Sequence, residues 1–303
     1  MNREKYCGII PAFYACYNEQ GEISTQRTQI FAEHLLNKGV QGLYVNGSSG
    51  ECIYQSKEER KLILEHVMEV VKGKMTVIAH VGCNNTADSC ELAAHAQDVG
   101  VDAIASIPPI YFHLPERSIA KYWNDISDSA PDTDFFIYNI PQLAGVSLTM
   151  ELFQEMLKNP RVRGVKNSSM PVQDIQMFKD AGGKDCVVFN GPDEQLAGGL
   201  AMGADGGIGG TYGVMPELYL AIKDMVGCGN IKKATEIQNE ADRIIYAMCK
   251  CKGNLYAVMK AILKINENLE LGSVRLPLAA VTSDDRKQIE HCADLIQKAI
   301  QSI

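Results

Sequence analysis

The sequence predicts an α/β protein, a ring of eight parallel strands alternating with helices, extended at its C-terminus by three further helices. Three observations predict it. Short β-rich runs alternate with longer helical stretches. The interiors of those runs are mostly continuous apolar, as parallel strands covered on both faces require. From Pro216 onward the strand signal stops and only helical pattern remains. Eight such units within about 225 residues have the size and rhythm of a (β/α)8 TIM barrel with a C-terminal three-helix extension. The barrel is assigned to residues 1–228 and the extension to 229–303.

In chain order the strand runs are GIIPAFY (8–14), GLYVNG (42–47), MTVIAHVG (75–82) and VDAIASI (101–107), then DFFIYNI (134–140), VRGVKNS (162–168), CVVFNG (186–191) and DGGIGG (205–210). The segments between them read as helices. Residues 56–73 show this best: Ser56 and Glu59 form a capping-box pattern, Ile63, Val67, Val70 and Val71 make an apolar stripe, and Gly73 ends it. The competing arrangement is an open doubly wound sheet. It usually carries a G-x-G-x-x-G turn after its first strand, and here that strand runs into PAFYACYNEQGE. After the barrel, PELYLAIKDMV closes it as an eighth helix, and three helical stretches through DDRKQIEHCADLIQKAI form the extension.

Composition narrows the function class. The 303 residues are 46% apolar and 22% charged, and 29 basic against 37 acidic residues give a net charge of −8. A chain of this size needs no disulfide or metal to hold a core. The acidic balance without a basic run argues against nucleic acid or an anionic membrane as partner, while leaving room for a small anionic ligand in a locally positive pocket. No apolar stretch reaches the roughly 18 to 20 residues of a membrane span. The N-terminus MNREKYCGII lacks the apolar core of a secretory signal, so a cytoplasmic location is expected. The ten cysteines are scattered without a C-x-x-C pair, and they read as reduced thiols, most of them small core residues, with Cys249 and Cys251 in a helix.

In such a barrel the chemistry sits at the C-terminal ends of the strands. The second strand ends in Asn46-Gly47-Ser48-Ser49-Gly50-Glu51, the fifth carries Tyr138, the sixth Lys166, the seventh leads into Gly191-Pro192-Asp193-Glu194, and the eighth into Gly210. A lysine inside a short apolar strand must either reach out to water or keep its amine in a confined place. A confined amine loses hydration, its pKa falls from about 10.4 toward neutrality, and free amine becomes able to attack a carbonyl. The bland alternative is an ion pair closing the strand end. Tyr138 beside it can shuttle protons; Ser48 and Ser49 can converge on a carboxylate; Asp193 and Glu194 can accept from several hydroxyls of a polyol. No H-x-H or H-x-x-x-H pair exists, so no metal site is expected, and His80 and His113 fall on different strands.

These motifs together resemble the N-acetylneuraminate lyase and dihydrodipicolinate synthase family of pyruvate-dependent class I aldolases. GLYVNGSSGE is similar to its G-[ST]-[ST]-G-E signature, YNIP to its tyrosine motif and GVKNSS to its Schiff-base lysine motif, and the likeness covers nearly the whole chain. The resemblance implies Lys166 as Schiff-base former, Tyr138 as proton shuttle assisted by the substrate carboxylate or Ser48, no dissociable cofactor and no metal, and a homotetramer. It also implies Ser48 and Ser49 on the pyruvate carboxylate, with Ser168, Gly191, Asp193 and Glu194 on the substrate. Tyr44 and Tyr111 join around the site, Tyr111 from across a subunit interface, and Tyr256 lies near the sugar tail. Leu143 stands where the synthases carry a carboxylate-binding arginine, which favours the lyase branch and reversible cleavage of N-acetylneuraminate to N-acetylmannosamine and pyruvate. Alternatives are a sister aldolase for another 2-keto-3-deoxy sugar acid, a dihydrodipicolinate synthase, or a non-catalytic sugar-acid binder. Three departures from the lyase pattern stand out: Gly210 in place of a serine, Ala15-Cys16-Tyr17 in place of a Thr-Pro pair, and Ser49 and Ser168 in place of threonines.

Overall fold

A computed structural model describes residues 3–303. The elements run β1 (Ile9–Pro11), α1 (Thr25–Asn37), β2 (Gly42–Val45), α2 (Lys57–Val71), β3 (Thr76–His80), α3 (Thr86–Val99), β4 (Ala103–Ser106) and α4 (Glu116–Asp128). They continue with β5 (Asp134–Asn139), a single turn α5 (Pro141–Ala144), α6 (Met150–Met156), β6 (Val162–Asn167), α7 (Gln173–Gly182), β7 (Val187–Asn190), α8 (Leu196–Ala201), β8 (Gly206–Gly209) and α9 (Pro216–Gly227). Three helices follow, α10 (Ile231–Met248), α11 (Leu255–Glu267) and α12 (Arg286–Gln301). All strand pairs are parallel, in the order β1-β8-β7-β6-β5-β4-β3-β2. Between β1 and β2 the ring is drawn together by the bridge Ala12 to Tyr44. The eight runs read from the sequence each contain one of these strands, so the barrel stands.

Two apolar layers explain the continuous hydrophobic runs. Leu43, Val77, Phe135, Val165 and Val188 face outward into the large core shared with the helices. Their neighbours Tyr44, Ile78, Phe136, Tyr138, Val187 and Phe189 form a second cluster inside the barrel. Side chains alternate across a strand, so Lys166, following outward Val165 and paired with Tyr138 and Phe189, points inward. The capping box of Ser56 and Glu59 starts α2 as expected, with Ile63, Val67 and Val71 buried.

Some sequence expectations are corrected. His113 lies on no strand: Pro108, Pro109 and Pro115 flank it, and proline lacks the N–H that a ladder needs. Helix α10 stops at Met248, so Cys249 is its cap and Cys251 lies beyond, because no buried apolar residue continues the stripe through Lys250 and Lys252. Only Cys16, Cys186 and Cys292 are buried, the other seven being half-buried or exposed.

Candidate active site

A cavity of about 320 Å³ opens at the C-terminal ends of the strands, and Lys166 and Tyr138 lie on its floor. Register sets them side by side, because β5 and β6 pair Tyr138 with Lys166. The Lys166 Nζ stands 3.9 Å from the centroid of the Tyr138 ring and 4.3 Å from that of Tyr44. It therefore rests on two aromatic faces, where the ion-pair alternative required a carboxylate. Lys166 is 4% exposed. Burial lowers its pKa to about 7, with the Asp193 charge pulling the other way. A large share of the amine is then neutral near pH 7, within the pocket a carbonyl compound would enter.

Burial pushes the Tyr138 phenol up to about 12, opposed by the neighbouring Ser48 and Ser168 hydroxyls. It keeps its proton until something takes it. Tyr44 is fully buried, its ring edge-on to Tyr138 at 5.7 Å, and its hydroxyl has no partner among the described residues. Ser48 and Ser49 face the cavity from the turn after β2, which is closed by Gly50 N to Gly47 O and Glu51 N to Ser48 O, each 3.0 Å. Ser168 follows β6, and Gly191 lets it come close: a Cβ there would fall 2.0 Å from Ser168 Oγ.

Asp193 and Glu194 play unequal parts. Asp193 Oδ2 accepts from both the backbone N–H and the hydroxyl of Thr211, each at 2.6 Å, and burial raises its carboxyl to about 6 against those bonds. Glu194 is exposed and lines the cavity. Leu143, on α5, is 64% exposed at the rim, and Tyr256 reaches the cavity from α11 of the extension. Gly210 also lines it, and a Cβ there would stand 3.1 Å from Ser49 Oγ and 4.0 Å from Tyr256 Cε1. Of the residues expected at the site, Tyr111 alone is not brought to it within the chain: it is 88% exposed, with its ring edge-on to Phe112.

Sequence reasoning missed the residues that hold these strand ends. Asn139 Nδ2 donates to Asn167 Oδ1 at 2.7 Å, Asn167 Nδ2 to Ser169 Oγ at 2.8 Å, and Ser169 Oγ to Asp174 Oδ2 at 2.6 Å. Ser168 N donates to Asn139 O, and Gly191 N to Asn167 O, which ties β5, β6 and β7 together just past Tyr138 and Lys166. The signal was present: in an apolar strand, an asparagine directly after each reactive residue has to be satisfied by a neighbour. Among the described residues no three His, Cys, Asp or Glu side chains gather as a metal ion would need, and no helix is long and apolar enough to cross a membrane.

Fold and site together define a (β/α)8 barrel with a buried lysine and tyrosine at its mouth, the design of an enzyme for small carbonyl compounds. Residues 5–296 match the dihydrodipicolinate synthetase family, and the chain belongs to that family. It is 62% identical over 295 residues, 97% of this chain and 94% of the relative, to a protein of Mediterraneibacter gnavus named N-acetylneuraminate lyase. Among solved structures it superposes on the wild-type sialic acid aldolase of Ruminococcus gnavus with a TM-score of 0.97 at 61% identity, covering 98% of this chain and 99% of that one. The catalytic lysine mutant of that aldolase gives a TM-score of 0.98 at 61% identity, over 99% and 98% of the two chains.

Proposed function

We propose that this chain is a carbon–carbon lyase, a class I aldolase that reversibly cleaves N-acetylneuraminate to N-acetylmannosamine and pyruvate. The observation that carries this reading is the amine of Lys166, buried over Tyr138 and Tyr44 at the floor of an open cavity. The high identity to a relative named for this activity supports the choice of sugar acid.

Neutral Lys166 attacks the C2 ketone of the open-chain sugar acid, and internal proton transfer gives a carbinolamine. Tyr138 gives its proton to the departing hydroxyl, so water leaves and an iminium forms beside a phenolate. That phenolate takes the proton of the C4 hydroxyl; the C3–C4 bond breaks, its electron pair moves toward the iminium, and the aldehyde sugar departs. Tyr138 then returns the proton to C3 of the enamine, and water releases pyruvate and the free amine. Ser48 and Ser49 hold the carboxylate of the pyruvate half throughout, while Ser168, Gly191, Asp193 and Glu194 contact the sugar half. The chemistry runs on the covalent Schiff base and calls on no dissociable cofactor. A homotetramer would cover the exposed Tyr111 and Phe112 pair and let Tyr111 reach a neighbouring site, and the enzyme would work in the cytoplasm.

A second reading, a sister aldolase for another 2-keto-3-deoxy sugar acid, is favoured by one observation: Gly210 lines the cavity without a side chain, so it offers the sugar no hydroxyl there. A coupled pyruvate-release assay over N-acetylneuraminate, N-glycolylneuraminate and 2-keto-3-deoxygluconate decides between them. N-acetylneuraminate is expected to give the highest kcat/KM. Release from 2-keto-3-deoxygluconate alone would make the sister reading correct, and no release from any of the three would contradict both.

A further inference from the structure

Asn46 and Glu51 open and close the turn that carries Ser48 and Ser49, and both sit in the left-handed backbone region, at φ 61° and 57°. Residues with a Cβ persist there when their surroundings hold them. Each is held by a buried side chain from outside the turn.

At the opening end, His80 at the end of β3 places Nδ1 3.0 Å from the carbonyl oxygen of Asn46. A carbonyl only accepts, so Nδ1 carries the proton, and Nε2 is left to accept from the N–H of Ile107 at 3.4 Å. The Asn46 side chain is anchored as well, its Nδ2 donating to Arg60 O at 2.8 Å. At the closing end, Lys260 of α11 donates from Nζ to Glu51 Oε1 at 2.9 Å, both side chains being shut off from water. Glu51 Oε2 accepts from Arg275 N at 2.8 Å and from the Tyr17 hydroxyl at 3.3 Å, and Lys260 Nζ also donates to Ser273 O at 2.7 Å. Neither His80 nor Lys260 lines the cavity. A buried charge pair of this kind contributes little net stability compared with an apolar pair, so its place in the fold asks for another reason.

We infer that His80 and Lys260 are positioning residues that clamp the Ser48 and Ser49 turn at its two ends and so set the affinity for the carboxylate of pyruvate. The inference rests on the reading of that turn as the carboxylate seat. It also gives the C-terminal extension a task, since α11 reaches the end of the Ser48 and Ser49 turn through the Lys260 and Glu51 pair in addition to presenting Tyr256.

The test is borohydride trapping of pyruvate on the intact protein, reading the half-saturating pyruvate concentration separately from the trapping rate at saturation. His80→Leu and Lys260→Met are each expected to raise half-saturation about tenfold, the cost of misplacing a hydrogen bond to a charged group, with the saturating rate within about twofold of wild type. His80→Gln, which keeps an N–H for Asn46, is expected to recover most of the loss. Lys260→Met strands a buried carboxylate; if it does not fold, Glu51→Gln with Lys260→Met removes both charges and is expected to show the same rise. A folded variant of either clamp with wild-type half-saturation, or one that loses only the saturating rate, overturns the proposal. Ser48→Ala with Ser49→Ala separates the two claims. If this pair raises half-saturation while the clamp variants do not, the clamp fails alone; if it leaves half-saturation unchanged, the carboxylate seat fails and the clamp with it.

Discussion

Tyr138 and Lys166 are register partners on β5 and β6, and the lysine nitrogen lies 3.9 Å from the centre of the tyrosine ring. One consequence is that the amine and the phenol share one desolvated floor. Burial pushes the first down to about 7 and the second up to about 12, so at neutral pH a substantial share of the amine is uncharged and the phenol keeps its proton. A neutral nucleophile beside a neutral acid is the pairing that carbinolamine formation and dehydration require.

The rate of Schiff-base formation should therefore follow deprotonation of Lys166. Below about 7 the amine is mostly ammonium and the rate is expected to fall roughly tenfold per pH unit; above it the rate levels off. Borohydride trapping rates at saturating pyruvate across pH 5 to 9, a span of about four units around this value, check it. A midpoint near the ordinary lysine value of 10.5 would mean that the amine is not desolvated as the structure has it.

Replacing this lysine should stabilise the fold while abolishing trapping. Its folded pKa lies below its unfolded value, so folding disfavours the ammonium; the penalty is fully present below about 7 and fades as pH rises toward 10.5. Lys166→Met is expected to be more stable than wild type by on the order of 2 kcal/mol at pH 6, with the difference narrowing at pH 9. Thermal unfolding at both pH values measures it.

Tyr138→Phe removes the proton carrier and leaves the amine in place. Turnover is expected to fall by roughly 10²- to 10⁴-fold, while pyruvate still traps on the protein at a reduced rate. Steady-state kinetics and trapping on the same preparation distinguish this from loss of folding.

Gly210→Ser adds a hydroxyl at the cavity wall beside Tyr256, and its Cβ, 3.1 Å from Ser49 Oγ, requires that serine to give way slightly. The expected outcome is a KM for N-acetylneuraminate lower by up to about tenfold with kcat unchanged, the worth of one hydrogen bond. Pyruvate trapping on the same variant reads whether Ser49, crowded by the new Cβ, keeps its place on the carboxylate; an unchanged half-saturation is the expected result.

The barrel was legible because each strand run is buried on both faces, inward residues such as Tyr44 and Phe136 and outward ones such as Leu43 and Phe135 both being apolar. Lys166 stood out against that background, and so did Tyr138 once its register was known. The supports were harder to see. Lys260 meets Glu51 across 209 residues of sequence, and nothing in either local pattern announces the other. Thr211 carried no local signal; the structure places its N–H and hydroxyl on Asp193. Tyr111 remains outside the site of its own chain, with its ring exposed.

The most direct test of the central claim is peptide mass spectrometry after reduction with borohydride in the presence of pyruvate. The account predicts one modified residue, Lys166, carrying a reduced pyruvyl group. An unmodified Lys166, with the label absent or on another lysine such as Lys260, would contradict it.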